Sequence, residues 1–354
     1  MRSSSRALSI VLTLAILVGS LFSLASCTPS MEKYTRTELT LPGTDIDIFG
    51  TVATVIGYAE SEEKFAEVAD LVFDRLYEYH RLFDIHNSYE GLVNLHTVNS
   101  LDENGDHPIL RVDSRIIDML LYAGDVYEFT EGEINVCMGS VLSIWHEYRE
   151  AGRRDPQHAK LPDEEQLAAA AEHTSFSSLY INEQTCEVQL TDPAALLDVG
   201  AVAKGYTVEL IASELEAMGI SGYTLNVGGN VRTVGTRADG TPWRVGIEDP
   251  RPSALSTYAK IVSLTSSSLV TSGSYQRYYY VNGTSYHHII DKDTLMPASH
   301  GYLSVSVTVP SSAEADALST ALFAMPMEEG IALAESRGAS VYYILEDGSI
   351  YETP

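Results

Sequence analysis

Asp316 and Thr320 stand four residues apart in Ala313-Glu314-Ala315-Asp316-Ala317-Leu318-Ser319-Thr320-Ala321, which puts them on one face of a helix with small residues between. A carboxylate and a hydroxyl are hard oxygen donors, suited to a Mg²⁺ that keeps waters and shares a substrate phosphate. The same pair also reads as an Asp favouring the dipole of a helix start beside an ordinary surface Thr. Asp198-Val199-Gly200-Ala201-Val202-Ala203-Lys204-Gly205-Tyr206 leads straight into a helix. Its small residues allow close approach to the backbone, free N–H groups point out of the helix start, and Lys204 adds a charge, so the segment can hold an anion. A helix start with a solvent-facing lysine is the plainer reading, and the segment is not a phosphate loop. Asn226-Val227-Gly228-Gly229-Asn230 ends a strand in paired glycines, most often a turn. In Tyr286-His287-His288-Ile289-Ile290-Asp291 the adjacent histidines on a strand point to opposite faces and cannot readily chelate one metal. One of them can still act as a base, with Asp291 nearby to orient it.

These segments need elements to position them. Helical spacing predicts helices over Phe65 to Phe83, from after Asp113 or Ser114 to near Gly132, from Pro162-Asp163-Glu164-Glu165 onward, over 200–218, over Ala313 to Phe323 and over Glu328 to Ser336. Period-two runs predict strands over Thr44 to Tyr58, Trp243 to Ile247, Tyr258 to Leu264, Tyr275 to Val281 and Leu303 to Val309. Hairpins are expected at Asn282-Gly283, leading into Ser285–Ile290, and at Asp347-Gly348. Without a regular βα alternation this argues for an α+β fold, with mixed sheets and flanking helices.

The 354 residues hold 22 Lys+Arg against 49 Asp+Glu, a formal charge of −27 that becomes −29 once Arg2 and Arg6 are discounted with a cleaved leader. Such a surface repels phosphate backbones and anionic headgroups, so nucleic acid is not expected as a partner and any anionic ligand must be held by a local exception. Residues 1–26 run from a basic start through an apolar stretch to Leu24-Ala25-Ser26-Cys27, which resembles a lipobox, the signal of a lipoprotein anchored through Cys27; an uncleaved membrane anchor is the competing reading. Residues 27–43 read as a polar tether and 44–354 as one folded unit outside the cytoplasm. Three cysteines cannot form a disulfide framework, and Cys137 and Cys186 are given no role.

Together the segments resemble the FAD:protein FMN transferase family, the ApbE-type flavin transferases, over about residues 45–325. The matching stretches are Phe49-Gly50-Thr51, Leu82 through His86 with the later Asn99, Gly132 through Val136, Asp198 through Tyr206, and Leu225 through Asn230. They continue in order with Pro242 through Ile247 and Asp249-Pro250, Thr271-Ser272-Gly273, His288 through Asp291, and Asp316 through Thr320.

The resemblance implies one compact unit with an FAD cleft between its two halves, and an exported, Mg²⁺-dependent enzyme. Such an enzyme moves the FMN half of FAD onto a Thr or Ser hydroxyl of an acceptor protein and leaves AMP. The acceptors implied are subunits of membrane redox complexes such as sodium-pumping NADH:quinone reductase. By the family pattern Asp316, Thr320 and the carbonyl of Ala201 are metal ligands, and Lys204 contacts the pyrophosphate. Asp198 and the stretch Glu133, Ile134 and Asn135 contact the cofactor, and His86 falls where an aromatic residue meets the flavin. His288, itself placed at the cofactor, is assigned as the base that takes the acceptor's proton, with Asp291 as its partner. The chain departs from the pattern at Asn135, where Asp is usual, at His86, where Tyr is common, and at Lys292-Asp293-Thr294-Leu295, which replaces Pro and then Thr-Gly. FAD hydrolysis to FMN and AMP, a flavin-binding lipoprotein and a general solute-binding lipoprotein are the alternatives.

Overall fold

The computed structural model describes residues 30–251 and 256–353, so the expected signal segment and Cys27 lie outside the described residues. Among the described residues no helix is long and apolar enough to cross a membrane. The chain opens with β1 (Glu32–Glu38), a 3₁₀ turn at Ile48–Gly50 and β2 (Ala53–Ala59). Helices follow as α1 (Glu62–Phe83), the one-turn α2 (Leu95–Val98), then, after the short β3 (Leu110–Arg111), α3 (Ser114–Phe129), α4 (Gly139–Arg154) and α5 (Glu164–Ala171). A hairpin of β4 (Leu179–Asn182) and β5 (Glu187–Leu190) precedes α6 (Ala203–Ala217), which leads into β6 (Tyr223–Val227) and β7 (Asn230–Val234). Then come β8 (Trp243–Glu248), β9 (Tyr258–Leu264), β10 (Ser268–Gly273), β11 (Tyr278–Val281), β12 (Thr284–His287) and β13 (Tyr302–Val309). The chain closes with α7 (Ser312–Ala324), α8 (Met327–Ser336), β14 (Ser340–Leu345) and β15 (Ile350–Glu352).

The fold is α+β, as the pattern predicts. Its largest sheet runs in the order β1-β2-β6-β7-β10-β13-β14-β15, and each neighbouring pair is antiparallel. Helices α6 and α7 pack side by side against the middle of this sheet. Helix α7 is almost wholly buried, which its run of alanines and leucines permits because no polar stripe needs solvent. Helix α6 turns Val208, Ile211 and Leu215 into a core shared with Phe65, Val72, Phe73 and Leu76 of α1. A separate small core joins Val141 and Trp145 of α4 to Tyr279 and Val281 of β11, and Trp145 Nε1 donates to Leu295 O at 2.8 Å. Helix starts fall where the sequence marks them: Asp113 and Asp163 accept from the backbone N–H groups of Arg115 and Glu165.

Three expectations change. The tether over 27–43 is in part a strand, because β1 pairs along β2 from Glu32 opposite Ala59 to Glu38 opposite Ala53. Its charged composition hid it, yet charge is what an edge strand carries; its inward Tyr34 and Arg36 pack on Phe65 and Phe73, and Glu38 accepts from Tyr77. The strand expected over Thr44 to Tyr58 begins only at Ala53, since Phe49 and Gly50 take positive φ values of 51° and 64° and turn the chain. Helix α4 and strand β10 were not anticipated.

Candidate active site

Two neighbouring helices build the first part of the site. Asp316, in the second turn of α7, is 3% exposed and points at the first turn of α6. Its Oδ1 accepts from Lys204 Nζ at 2.9 Å and its Oδ2 from the Gly205 backbone N–H at 2.8 Å. Gly205 has to be glycine: a Cβ there would lie 2.3 Å from Asp316 Cβ and 2.5 Å from Ser312 O. Gly205→Ala should therefore push α6 and α7 apart and cost about 3 kcal/mol or more, the scale of severe overpacking. Denaturant unfolding would show it as a lowered midpoint, and an unchanged midpoint would contradict the packing.

The bond to Asp316 has a further consequence. In a regular helix the Gly205 N–H would bond to the Ala201 carbonyl four residues back. Here it is turned to Asp316, and among the described residues no backbone N–H takes its place at Ala201 O. Thr320, one turn after Asp316, donates to Asp316 O at 3.2 Å and meets Ser272 Oγ of β10 at 3.1 Å. Ser272 also meets Ser319 Oγ at 2.9 Å, so the sheet fixes this face of α7. A carboxylate, a free carbonyl and a hydroxyl are thus gathered beside one lysine, and their hard oxygens suit Mg²⁺. Among the described residues no group of three His, Cys, Asp or Glu side chains could hold a metal, so a site here must draw on that carbonyl and hydroxyl.

The Asp198 and Glu133–Asn135 stretches also meet, through Asp198 N bonded to Val136 O at 2.8 Å. Asp198 Oδ1 holds Gly200 N at 2.8 Å and so shapes the turn before α6. Glu133 lies 3.5 Å from Lys292 Nζ, and burial raises its pKa against the pull of that lysine. Ile134 is buried and its N–H donates to Thr130 Oγ1. Asn135 is occupied at both ends: its Nδ2 donates to Thr174 O at 2.8 Å and its Oδ1 accepts from Cys137 N at 2.9 Å. A carboxylate could not make the first of these bonds, which accounts for Asn at this position. Cys137 itself is in the core, its thiol pushed up to about 12 by burial, so it is no nucleophile.

His86 is exposed, with its backbone N–H on Asp84 Oδ1 and its ring stacked on His146 at 5.3 Å between centroids. His288 follows β12, and its Nδ1 is buried with no partner among the described residues. Burial, then the charges of Arg277 and Arg149, drives its pKa down to about 3, so the ring is neutral at working pH. Asp291 is not the partner expected for it. Its Oδ1 accepts from the N–H groups of Asp293 and Thr294 and from Thr294 Oγ1, so it caps the turn that replaces the family's Pro and Thr-Gly. Burial opposes its charge, but the Thr294 bonds hold its pKa below the ordinary carboxylate value. Sequence reasoning missed His146 and Arg149, on the unforeseen α4, and Arg277, whose strand was read only for its period.

The sequence model of the ApbE family matches residues 49–344. A relative from Klebsiella pneumoniae (strain 342), named FAD:protein FMN transferase, is 30% identical over 68% of this chain and 68% of its own. One of the same name from Treponema pallidum (strain Nichols) is 28% identical over 94% of this chain and 91% of its own. The crystal structure of the ApbE protein from Thermotoga maritima superposes with a TM-score of 0.76 at 23% identity, covering 91% of this chain and 97% of that one, a likeness of fold. With its matching sequence spanning both Lys204 and Asp316, the chain belongs to the ApbE family.

Proposed function

We propose that the protein transfers the FMN moiety of FAD to a Thr or Ser hydroxyl of an acceptor protein and releases AMP, with Mg²⁺ held by Asp316, Thr320 and the Ala201 carbonyl. The observation that carries this reading is the Ala201 carbonyl left without a backbone donor beside a buried carboxylate turned toward Lys204. The name shared by the Klebsiella and Treponema relatives supports the reaction. Mg²⁺ when bound would offset charge on the pyrophosphate oxygens. Lys204 Nζ and the N–H groups opening α6 orient the pyrophosphate and add to that stabilisation. His288, held neutral, is the base that takes the acceptor's hydroxyl proton, while the hydroxyl oxygen bonds to the FMN phosphorus and the bond to the AMP phosphate breaks. The metal is testable by chelation: EDTA should abolish transfer and excess Mg²⁺ restore it, whereas transfer unaffected by EDTA would remove the metal from the account.

The acceptor is a subunit of a membrane redox complex, and the protein is lipid-anchored outside the cytoplasm through Cys27. Its release from membranes should then need detergent, and release by salt alone would contradict the anchor.

A further inference from the structure

Ser272 places a hydroxyl in an otherwise apolar face. Residues of β10 alternate, so Thr271 turns to the far side of the sheet, where its Oγ1 meets Ser306 Oγ at 2.7 Å, and Ser272 turns to α7. The positions sharing its face are Val270 on the same strand and Val305 directly opposite on β13. Both are buried in the core that also holds Leu318 and Leu322 of α7. Packing alone favours a third valine here, because a hydroxyl taken out of water gains nothing unless it is bonded. Ser272 Oγ has two partners, Ser319 Oγ at 2.9 Å and Thr320 Oγ1 at 3.1 Å. Neither of them needs it as an acceptor. Both reach Asp316 O one turn back, Ser319 at 3.1 Å and Thr320 at 3.2 Å.

A hydroxyl has one hydrogen to give and two lone pairs to fill. A Thr320 hydroxyl that ligates a cation must turn its hydrogen away from it, and Asp316 O is the acceptor in place for that hydrogen. One lone pair of Thr320 Oγ1 can then accept from Ser272 Oγ, which accepts in turn from Ser319 Oγ, so that all three hydrogens are used in a single direction. We propose that Ser272 is a positioning residue for the metal: its hydrogen fills one lone pair of Thr320 Oγ1 and leaves the other for Mg²⁺. The inference rests on the proposed metal set of Asp316, Thr320 and the Ala201 carbonyl. A threonine in a helix divides between two χ1 rotamers, both compatible with a bond to its own helix. Anchored at Asp316 O alone, the Thr320 side chain would keep that freedom. The second anchor, on the sheet, selects one orientation, as partners behind a metal ligand do.

The test is calorimetric titration of Mg²⁺ alone into the purified protein, for the wild type, S272A, T320V and the double variant. S272A should weaken Mg²⁺ binding about 10-fold, the low end for losing a partner behind a metal ligand. T320V should weaken it further. Adding S272A to T320V should then change nothing more, because Ser272 acts only through the Thr320 hydroxyl. A role in packing alone would give the same loss in both backgrounds, and that result would overturn the proposal. S272C keeps the volume filled with a weak donor and should lose as much as S272A, so it decides the matter even if S272A fails to fold. Wild-type affinity in S272A and S272C, with T320V weakened, overturns the positioning role alone. Wild-type affinity in T320V takes Thr320 out of the metal set and overturns that reading as well.

Discussion

Asp316→Ala should abolish flavin transfer, lowering kcat/KM by at least about 10³-fold, because it removes the single carboxylate of the proposed metal set, a contribution of several kcal/mol. The same change breaks the 2.9 Å pair with Lys204 and leaves the Gly205 N–H without its acceptor. Stability should drop too, by about 3 kcal/mol, the low end for breaking a buried pair. The low end applies because the Lys204 side chain is 20% exposed and can turn to water. Asp316→Asn separates the two effects: its amide oxygen can still accept from Gly205, so folding should largely survive while transfer does not. Steady-state kinetics beside denaturant unfolding reads both quantities. Transfer surviving either substitution unchanged would place the metal elsewhere.

His288→Gln should lower kcat by roughly 10²-fold, the low end for one positioned base, because a ring with so low a pKa is a weak one. It should also change how stability depends on pH. The folded-state pKa of His288 lies near 3, below its unfolded value of about 6.5, so between those values the unfolded chain binds a proton that the folded chain refuses. Stability therefore falls as pH drops through that window, by about 1.4 kcal/mol per unit from this residue alone. In the variant that part of the slope should be missing. Unfolding midpoints measured from pH 7 to pH 4 would show it, and identical slopes would mean that His288 is not held neutral by burial and its two arginines.

Much of this was legible in the sequence, and the reasons differ by residue. The Asp316–Thr320 pair can be read from spacing because both residues share one helix, and Asp113 and Asp163 announce the helices they cap. The role of Gly205 is not readable that way, because it depends on α7 lying against α6, more than 100 residues apart in the chain. The same holds for Trp145 of α4, whose Nε1 reaches Leu295 O from 150 residues away in the chain. The pairing expected of Asp291 with His288 failed because the altered turn after Asp291 needs its carboxylate locally. Charge gives the clearest case. With a formal charge of −27 on the chain, one positive spot at Lys204 was foreseen, and the fold holds that lysine against Asp316.

The account's central claim is tested most directly by incubating the wild-type protein with FAD, Mg²⁺ and a candidate acceptor domain, then counting released AMP against flavin that remains on the acceptor after denaturing electrophoresis. The account predicts in-gel flavin fluorescence on the acceptor and one AMP for each flavin attached. AMP released with no labelled acceptor would make the protein an FAD hydrolase and contradict the claim.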